Sequence, residues 1–252
     1  MIHATPSTSP CLLCRMPTAP RPHSILGGPV CAHCLTQNPS QAANKRCAGA
    51  GDGLPMFSIE FEVCAWEASR PASHALILLK HGYLRTYDCT VSDEYKSPRY
   101  LDLAAFQEAL PTLESLADLV DDCCGTHIHI DCPVQADVKA HSPALFSPLE
   151  RYLRDHPEET GHFWGRPSYD LVRMRHYYPT LEFRLPRFRS AEQYLEVVRF
   201  CRAAGHMLNQ HFHENHPLSR SASPEQVGDE ILMLYQQQVS QRTLTAGGKV
   251  HV

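Results

Sequence analysis

From Phe57 the chain alternates in period two. Phe57, Ile59, Phe61 and Val63 are apolar, and Ser58, Glu60 and Glu62 lie between them, which predicts a strand with one buried face. The alternation returns twice: His127, His129 and Asp131 against Ile128 and Ile130, and Glu182 and Arg184 against Leu181, Phe183 and Leu185. Ala75–Lys80, the His81-Gly82 turn and Tyr83–Asp88 predict a hairpin, and Tyr169–Arg175 with Thr180–Leu185 a second. Leu103, Phe106, Leu110, Leu113, Leu116 and Val120 recur at helical spacing, with Pro111 in a first turn or at a break between two helices. A Pro-containing loop and a helix around Pro148–Asp155 follow the His127–Asp131 strand. Ser190-Ala-Glu-Gln193 opens a helix to residue 212, and Ser223-Pro-Glu-Gln226 opens another. In the first of these, Leu195, Val198, Phe200 and Cys201 form a core stripe. Strands and helices are segregated, which predicts an α+β fold with a mainly antiparallel sheet and flanking helices.

The stretch before Met56 has a different texture, rich in Pro, Ser, Ala and Gly without periodicity. It carries two C-x-x-C pairs, Cys11 with Cys14 and Cys31 with Cys34, at a spacing close to that of four-cysteine zinc sites. A structural Zn2+ would replace the core that so few apolar residues cannot build. His23, His33 and Cys47 are substitute ligands. The expected organisation is a zinc-binding module over 1–40, a linker over 41–55, a main domain over 56–215, and a C-terminal helix and tail over 216–252.

Composition narrows the classes. With 43% apolar and 20% charged residues among 252, the chain is expected to fold around a core. A net charge of −4 and a pI near 6.4 provide no basic field for generic nucleic-acid binding. The N-terminus has no secretory signal and no apolar run reaches the roughly 20 residues of a membrane span, so the expected location is cytoplasmic and no membrane partner is expected. The eleven cysteines are then read as metal ligands or small buried hydrophobes rather than disulfides.

The polar faces of the three alternating strands carry Glu60, Glu62, His127, His129, Asp131, Glu182 and Arg184. These side-chain types bind hard cations and phosphates. A sheet with one solvated face is the alternative, though such faces usually mix Lys, Thr, Ser and Gln.

Four motifs, Phe57-Ser-Ile-Glu-Phe-Glu-Val63, Asp88 with Glu94-Tyr-Lys-Ser-Pro98, Cys124-Gly-Thr-His-Ile-His-Ile-Asp131 and Thr180-Leu-Glu-Phe-Arg184, stand in the order found in amidoligases. The stretch from Met56 to Leu208 thereby resembles the glutamine synthetase-like carboxylate–amine ligase superfamily. The resemblance implies a curved antiparallel sheet of glutamine synthetase catalytic-domain type, holding ATP and two or three Mg2+ ions on its concave face. It implies Glu60, Glu62, Glu94, His129 and Glu182 as magnesium ligands, with Glu94 favoured over Asp88 in the middle motif. It further implies Glu182, Arg184 and His129 as the catalytic set, and His127 as a phosphate contact beside His129. Arg166 and Arg187 are added as further ATP contacts. Cys89-Thr90 stands where the family often has Gly-Ser, a departure at the turn after Asp88.

The implied activity is ATP-dependent joining of a carboxylate to an amine through an acyl phosphate, the acid being a free amino acid, a peptide or a protein. Water must be kept from that intermediate, and Glu67–His74 and Asp131–Ser147 are the expected covering loops. Two rival readings are a metal-dependent hydrolase using the His-x-His and carboxylate cluster, and an inactive ligase-like zinc adaptor. A protein contact for the zinc module is preferred over nucleic acid. His206, His211, His213 and His216 form a further group, read as helix-end residues or a second metal site.

Overall fold

The computed structural model describes residues 9–10, 17–18, 47–63, 82–86, 93–114, 125–156, 171–174, 179–185, 190–213 and 222–240. Two short strands, β1 (Ser9–Pro10) and β2 (Pro17–Thr18), pair antiparallel and bracket Cys11 and Cys14 in the sequence. The four cysteines expected to bind zinc lie outside the described residues.

The main body is α+β, as its segregated pattern predicts. Its open eight-stranded sheet is built from β3 (Cys47–Ala48), β4 (Phe57–Val63), β5 (Leu84–Thr86), β6 (Asp93–Lys96), β7 (Arg99–Tyr100), β8 (Thr126–Asp131), β9 (Val172–Met174) and β10 (Thr180–Leu185). The main path runs β3-β7-β4-β8-β10-β9, and β6 pairs with both β4 and β5. The β3–β7 pair is parallel and every other pair is antiparallel. The expected β9–β10 pairing is present, with Leu181 opposite Met174. β5 lies in the predicted second arm of the first hairpin and pairs with β6; Ala75–Lys80 lies outside the described residues.

Between β6 and β7 the register on β4 shifts by one residue, from Glu60 opposite Lys96 to Phe57 opposite Tyr100. Ser97 and Pro98 make this bulge, which Pro98 requires because it has no N–H for the ladder. Ser97 repairs the ladder: its N–H donates to Ile59 O at 2.9 Å, and its hydroxyl accepts from Ile59 N at 2.8 Å. The shift reverses strand parity. Lys96 therefore lies on the polar face with Glu94, while Tyr100 turns into the core against Phe57.

Among the described residues six α-helices flank the sheet: α1 (Leu103–Gln107), α2 (Leu110–Glu114), α3 (Gln135–Ala140), α4 (Ser142–Asp155), α5 (Ala191–Phe212) and α6 (Pro224–Tyr235). Pro111 lies in the first turn of α2, and the helical pattern expected beyond Glu114 falls outside the described residues. The Ser190 hydroxyl caps α5, and Ser223 with Gln226 forms the expected capping box of α6. Side chains from these helices cover the apolar sheet face: Phe106 on Phe57, Tyr194 on Phe61, and Phe146 and Phe200 on Phe183. α5 lies close on β8 at Gly205, where a Cβ would come within 2.4 Å of Ile130 Cγ2.

Asp131–Ser147 is not a covering loop. It contains the end of β8, all of α3 and the start of α4. Pro143 starts α4 rather than breaking it, because a first-turn N–H has no helical acceptor. Pro148 lies inside that helix and cannot donate to Ala144 O. The carbonyl it releases faces α6, where a Cβ on Gly228 would come within 2.4 Å of Ala144 O. Glu67–His74 lies outside the described residues.

Residues 47–55, within the stretch expected as linker, pack against the sheet domain. The Asp102 carboxylate accepts from Ala50 N at 2.6 Å, Gly51 N at 3.1 Å and Ala105 N at 2.9 Å. Gly49 adopts φ +101, and a side chain there would strike Asp102. Arg202, fully buried on α5, forms two hydrogen bonds with Asp52 at 2.6 and 2.8 Å and lies over the Phe57 ring. The Arg202 hydrogen bonds, ahead of an opposing burial effect, lower the Asp52 pKa.

Two predictions concern this packing. Gly228→Ala should lose about 1–3 kcal/mol in urea unfolding despite a gain of about 1 kcal/mol in helix propensity, since the clash is with backbone. Asp52→Ala should cost about 1–3 kcal/mol, less than a fully buried pair because Asp52 is partly exposed. Because its folded pKa lies below 3.8, the Asp52 contribution is present above that pH and is lost as pH falls through the folded value. Equal acid unfolding profiles for wild type and Asp52→Ala would refute the second prediction.

Candidate metal centre

Two neighbours position β8. Glu60 of β4 and Arg184 of β10 both stand opposite His127, while Ser58 and Glu182 both stand opposite His129. On β4's other side Glu60 faces Lys96 and Glu62 faces Glu94. Arg184, His127, Glu60 and Lys96 therefore form one row across four adjacent strands. All these side chains project on the face opposite Phe57, Ile59, Phe61, Ile128, Ile130, Leu181 and Phe183.

This polar face is buried. Glu60, Glu62 and Glu94 are each 5% exposed, His127 4% and Glu182 1%, which removes the solvated-face alternative for the centre of the sheet. Buried carboxylates are costly unless cations or donors compensate them. Glu62 Oε2 accepts from Gly125 N at 2.6 Å. Lys96 contacts Glu60 and lies 3.4 Å from Glu94. Arg184 Nε lies 3.6 Å from Glu182 Oε1.

His127 is at the centre. Its Nδ1 is 3.3 Å from Glu60 Oε2 and 3.6 Å from Glu182 Oε1, and its Nε2 is 3.9 Å from Glu62 Oε1. Nε2 has no hydrogen-bond partner among the described residues. Ligand atoms of Glu60, His127 and Glu182 lie within 4.8 Å of one another, so the trio could hold one metal ion. His129 Nε2 flanks the trio, 3.1 Å from Glu60 Oε1. Among the described residues, His206, His211 and His213 form no such group.

The electrostatics follow from these contacts. Burial pushes the Glu60 carboxyl up, but the charge of His129, the contacts with both histidines and the charge of Lys96 outweigh it. Glu60 is held well below the ordinary carboxylate range. Burial pulls His127 down; its hydrogen bond to Glu60 and the charges of Glu60, Glu62 and Glu182 more than reverse this. The metal-free His127 therefore holds its proton more strongly than an ordinary histidine.

The structure thus brings together Glu60, Glu62, Glu94, His127, His129, Glu182 and Arg184 on one face. Arg166 and Arg187 lie outside the described residues, as do Asp88, Cys89 and His216. Lys96 joins the site without having been singled out in the sequence, although its two-residue spacing from Glu94 puts it on the same face. Arg99, paired with Asp131 at the rim, is a second addition, and only the Ser97-Pro98 bulge places it there.

No family model matches the chain, and no curated protein matches it in sequence. Among the described residues no helix is long and apolar enough to cross a membrane.

In the metal-free protein, the His127 imidazole should titrate above 6.5 in a histidine NMR titration. Glu60→Gln should lower that pKa, because burial then meets less opposition. The sign for stability is fixed: the pairing contributes fully below pH 6.5 and its contribution is lost as pH rises through the higher folded value. A His127 titration unmoved by Glu60→Gln would contradict the pairing.

Proposed function

We propose that the chain is an ATP- and divalent-cation-dependent carboxylate–amine ligase on a sheet of glutamine synthetase catalytic-domain type. The observation that carries this reading is the buried row Arg184, His127, Glu60 and Lys96, with Glu182 beside it. It sets converging metal-ligand atoms between two cationic side chains. The motif order, from Glu60 to Arg184, supports the same reading.

A carboxylate resists attack by an amine because oxide would have to leave. Transfer of the γ-phosphoryl of ATP to the carboxylate oxygen gives an acyl phosphate and ADP; the amine then attacks the acyl carbon and inorganic phosphate leaves. Transfer between two anions needs their repulsion cancelled. The hard oxygens of Glu60 and Glu182, with Glu62 and Glu94 beside them, suit Mg2+, and His127 or His129 completes the set. Magnesium, when bound, neutralises phosphate charge and orients the transfer. Arg184, beside Glu182, is the side chain that steadies the transferring phosphoryl group. The acid is a free amino acid, a peptide side chain or a modified macromolecule. In the same reading Cys11, Cys14, Cys31 and Cys34 hold a structural zinc ion, on the support of their spacing, in a module that contacts a protein.

One feature favours a second reading. An imidazole within the converging trio is an unusual Mg2+ ligand and suits zinc or manganese, the metals of many hydrolytic centres.

The deciding experiment measures ADP release by the full chain with panels of acids and amines. Release should require both an acid and an amine. Glu182→Ala should abolish it and Arg184→Ala should reduce it by about 10²–10³, as for other removed charge stabilisers. Turnover without ATP would favour the hydrolase, and near-wild-type ligation by either folded variant would overturn the assignment.

A further inference from the structure

The arrangement of Lys96 bears on how many metal ions the face accepts. Four buried carboxylates, Glu60, Glu62, Glu94 and Glu182, share it. Two of them, Glu62 and Glu94, stand directly opposite each other on neighbouring strands. Like charges so placed repel unless a cation joins them. Lys96 answers one member of this pair: its ammonium contacts Glu60 and lies 3.4 Å from Glu94, with the side chain 18% exposed, while Glu62 accepts from Gly125 N. Glu60 is also a member of the trio with His127 and Glu182. The Lys96 ammonium thus lies on the Glu94 side of the trio, between Glu60 and Glu94, where an ion bridging those two carboxylates would otherwise sit.

We propose that Lys96 is a resident cation standing in for a second divalent metal ion, so that this face binds one ion, at Glu60, His127 and Glu182. The proposal rests on reading the face as a metal centre, and it replaces the expectation of two or three ions with one ion and one lysine.

Two further observations support it. The first is charge balance. Four carboxylates set against the fixed cations Lys96 and Arg184 leave two negative charges, which one divalent ion cancels. Without Lys96 the deficit is three, and one divalent ion no longer suffices. The second is the direction of the trio's ligand atoms. His127 Nδ1 faces Glu60 Oε2 at 3.3 Å and Glu182 Oε1 at 3.6 Å, whereas Lys96 contacts the other oxygen of Glu60, Oε1, from the neighbouring strand on the opposite side.

The bulge at Ser97-Pro98 keeps Lys96 in this place. Without the one-residue shift, β6 could not hand over to β7 with Lys96 on the polar face and Tyr100 in the core. A fixed lysine has a chemical consequence. Unlike a second metal ion it cannot be lost by chelation, so the site's demand for metal is halved while part of its positive field persists.

The test counts Mn2+ ions bound to the full chain, without nucleotide, by electron paramagnetic resonance of the free ion and by calorimetry. Wild type should bind one ion per chain and give the spectrum of an isolated Mn2+. Lys96→Met, which keeps the length and removes the charge, should bind two and show the broadening of a coupled pair. Its first ion should bind at least about tenfold tighter, since a unit positive charge nearby has gone. Lys96→Gln is the second variant should Lys96→Met fail to fold, with folding judged by circular dichroism. Two or more ions on wild type, or a single ion on a folded neutral variant, would overturn the proposal, as would no ion on wild type. The ligase reading fails separately: one Mn2+ on wild type and two on Lys96→Met, without acid- and amine-dependent ADP release, would remove the ligase and leave the lysine assignment standing.

Discussion

The fold and the site depend together on the register of β8, which is fixed from both sides at once. Every residue from Thr126 to Ile130 has an opposite number on β4 and on β10. A slip of one residue on either side would exchange the two faces and bring Ile128 and Ile130 among the carboxylates while driving His127 and His129 into the helices. The apolar face cannot accept that. Ile128, Ile130, Phe183 and Ile59 are fully buried there, and Gly205 of α5 leaves no room over Ile130 for anything larger. The same close packing that stabilises the sheet therefore sets the chemistry of its other side. Mutations in the helix layer would reach the polar face through this register rather than through direct contact.

Burial of the polar face then imposes an electrostatic condition. An exposed set of Glu, His and Arg would be solvated at little cost, but the glutamates here are almost wholly removed from solvent. Such a surface persists only if cations and donors answer each carboxylate. The chain supplies part of the answer: Lys96 to Glu60 and Glu94, Gly125 N–H to Glu62, Arg184 to Glu182, and the His127 imidazole, its pKa raised, between Glu60 and Glu182. A proton on His127 is only one way to answer them, because the same nitrogens are potential metal ligands. A bound divalent ion and a proton on His127 are thus competing ways of satisfying one cluster, and metal binding would release that proton.

Much of this was legible in the sequence because period-two alternation converts directly into faces. Glu60 with Glu62, His127 with His129, and Glu182 with Arg184 each fall on the predicted side. The long helix from Ser190 and the capping box at Ser223 were equally readable, since each begins with a side chain that satisfies its own first turn. What the pattern could not show was pairing. Nothing local says that Glu60 lies opposite both His127 and Lys96, or that His127 rather than His129 joins Glu60 and Glu182 in the converging trio. The 47–55 stretch misled by composition: glycines that read as a flexible linker serve a tight path held by Asp102 and by the Asp52–Arg202 pair. The prolines of α4 misled in the same way, since Pro143 starts a helix and Pro148 is accommodated by Gly228 on the neighbouring one.

The Ser97-Pro98 bulge shows how far one residue can alter such a reading. Strict alternation from Glu94 would put Lys96, Pro98 and Tyr100 on one face, with a tyrosine beside the carboxylates and Arg99 in the core. The extra residue reverses this. It places Arg99 against Asp131 at the rim and Tyr100 against Phe57 and Phe106 in the core. The proline that forces the break and the serine that mends it are adjacent, so the ladder to β4 is kept while parity changes. Strand β6 can then serve the polar face and β7 the hydrophobic core within one continuous segment. This short segment, paired on both sides, thereby contributes both the site's internal cation and part of the packing that holds β4 in register.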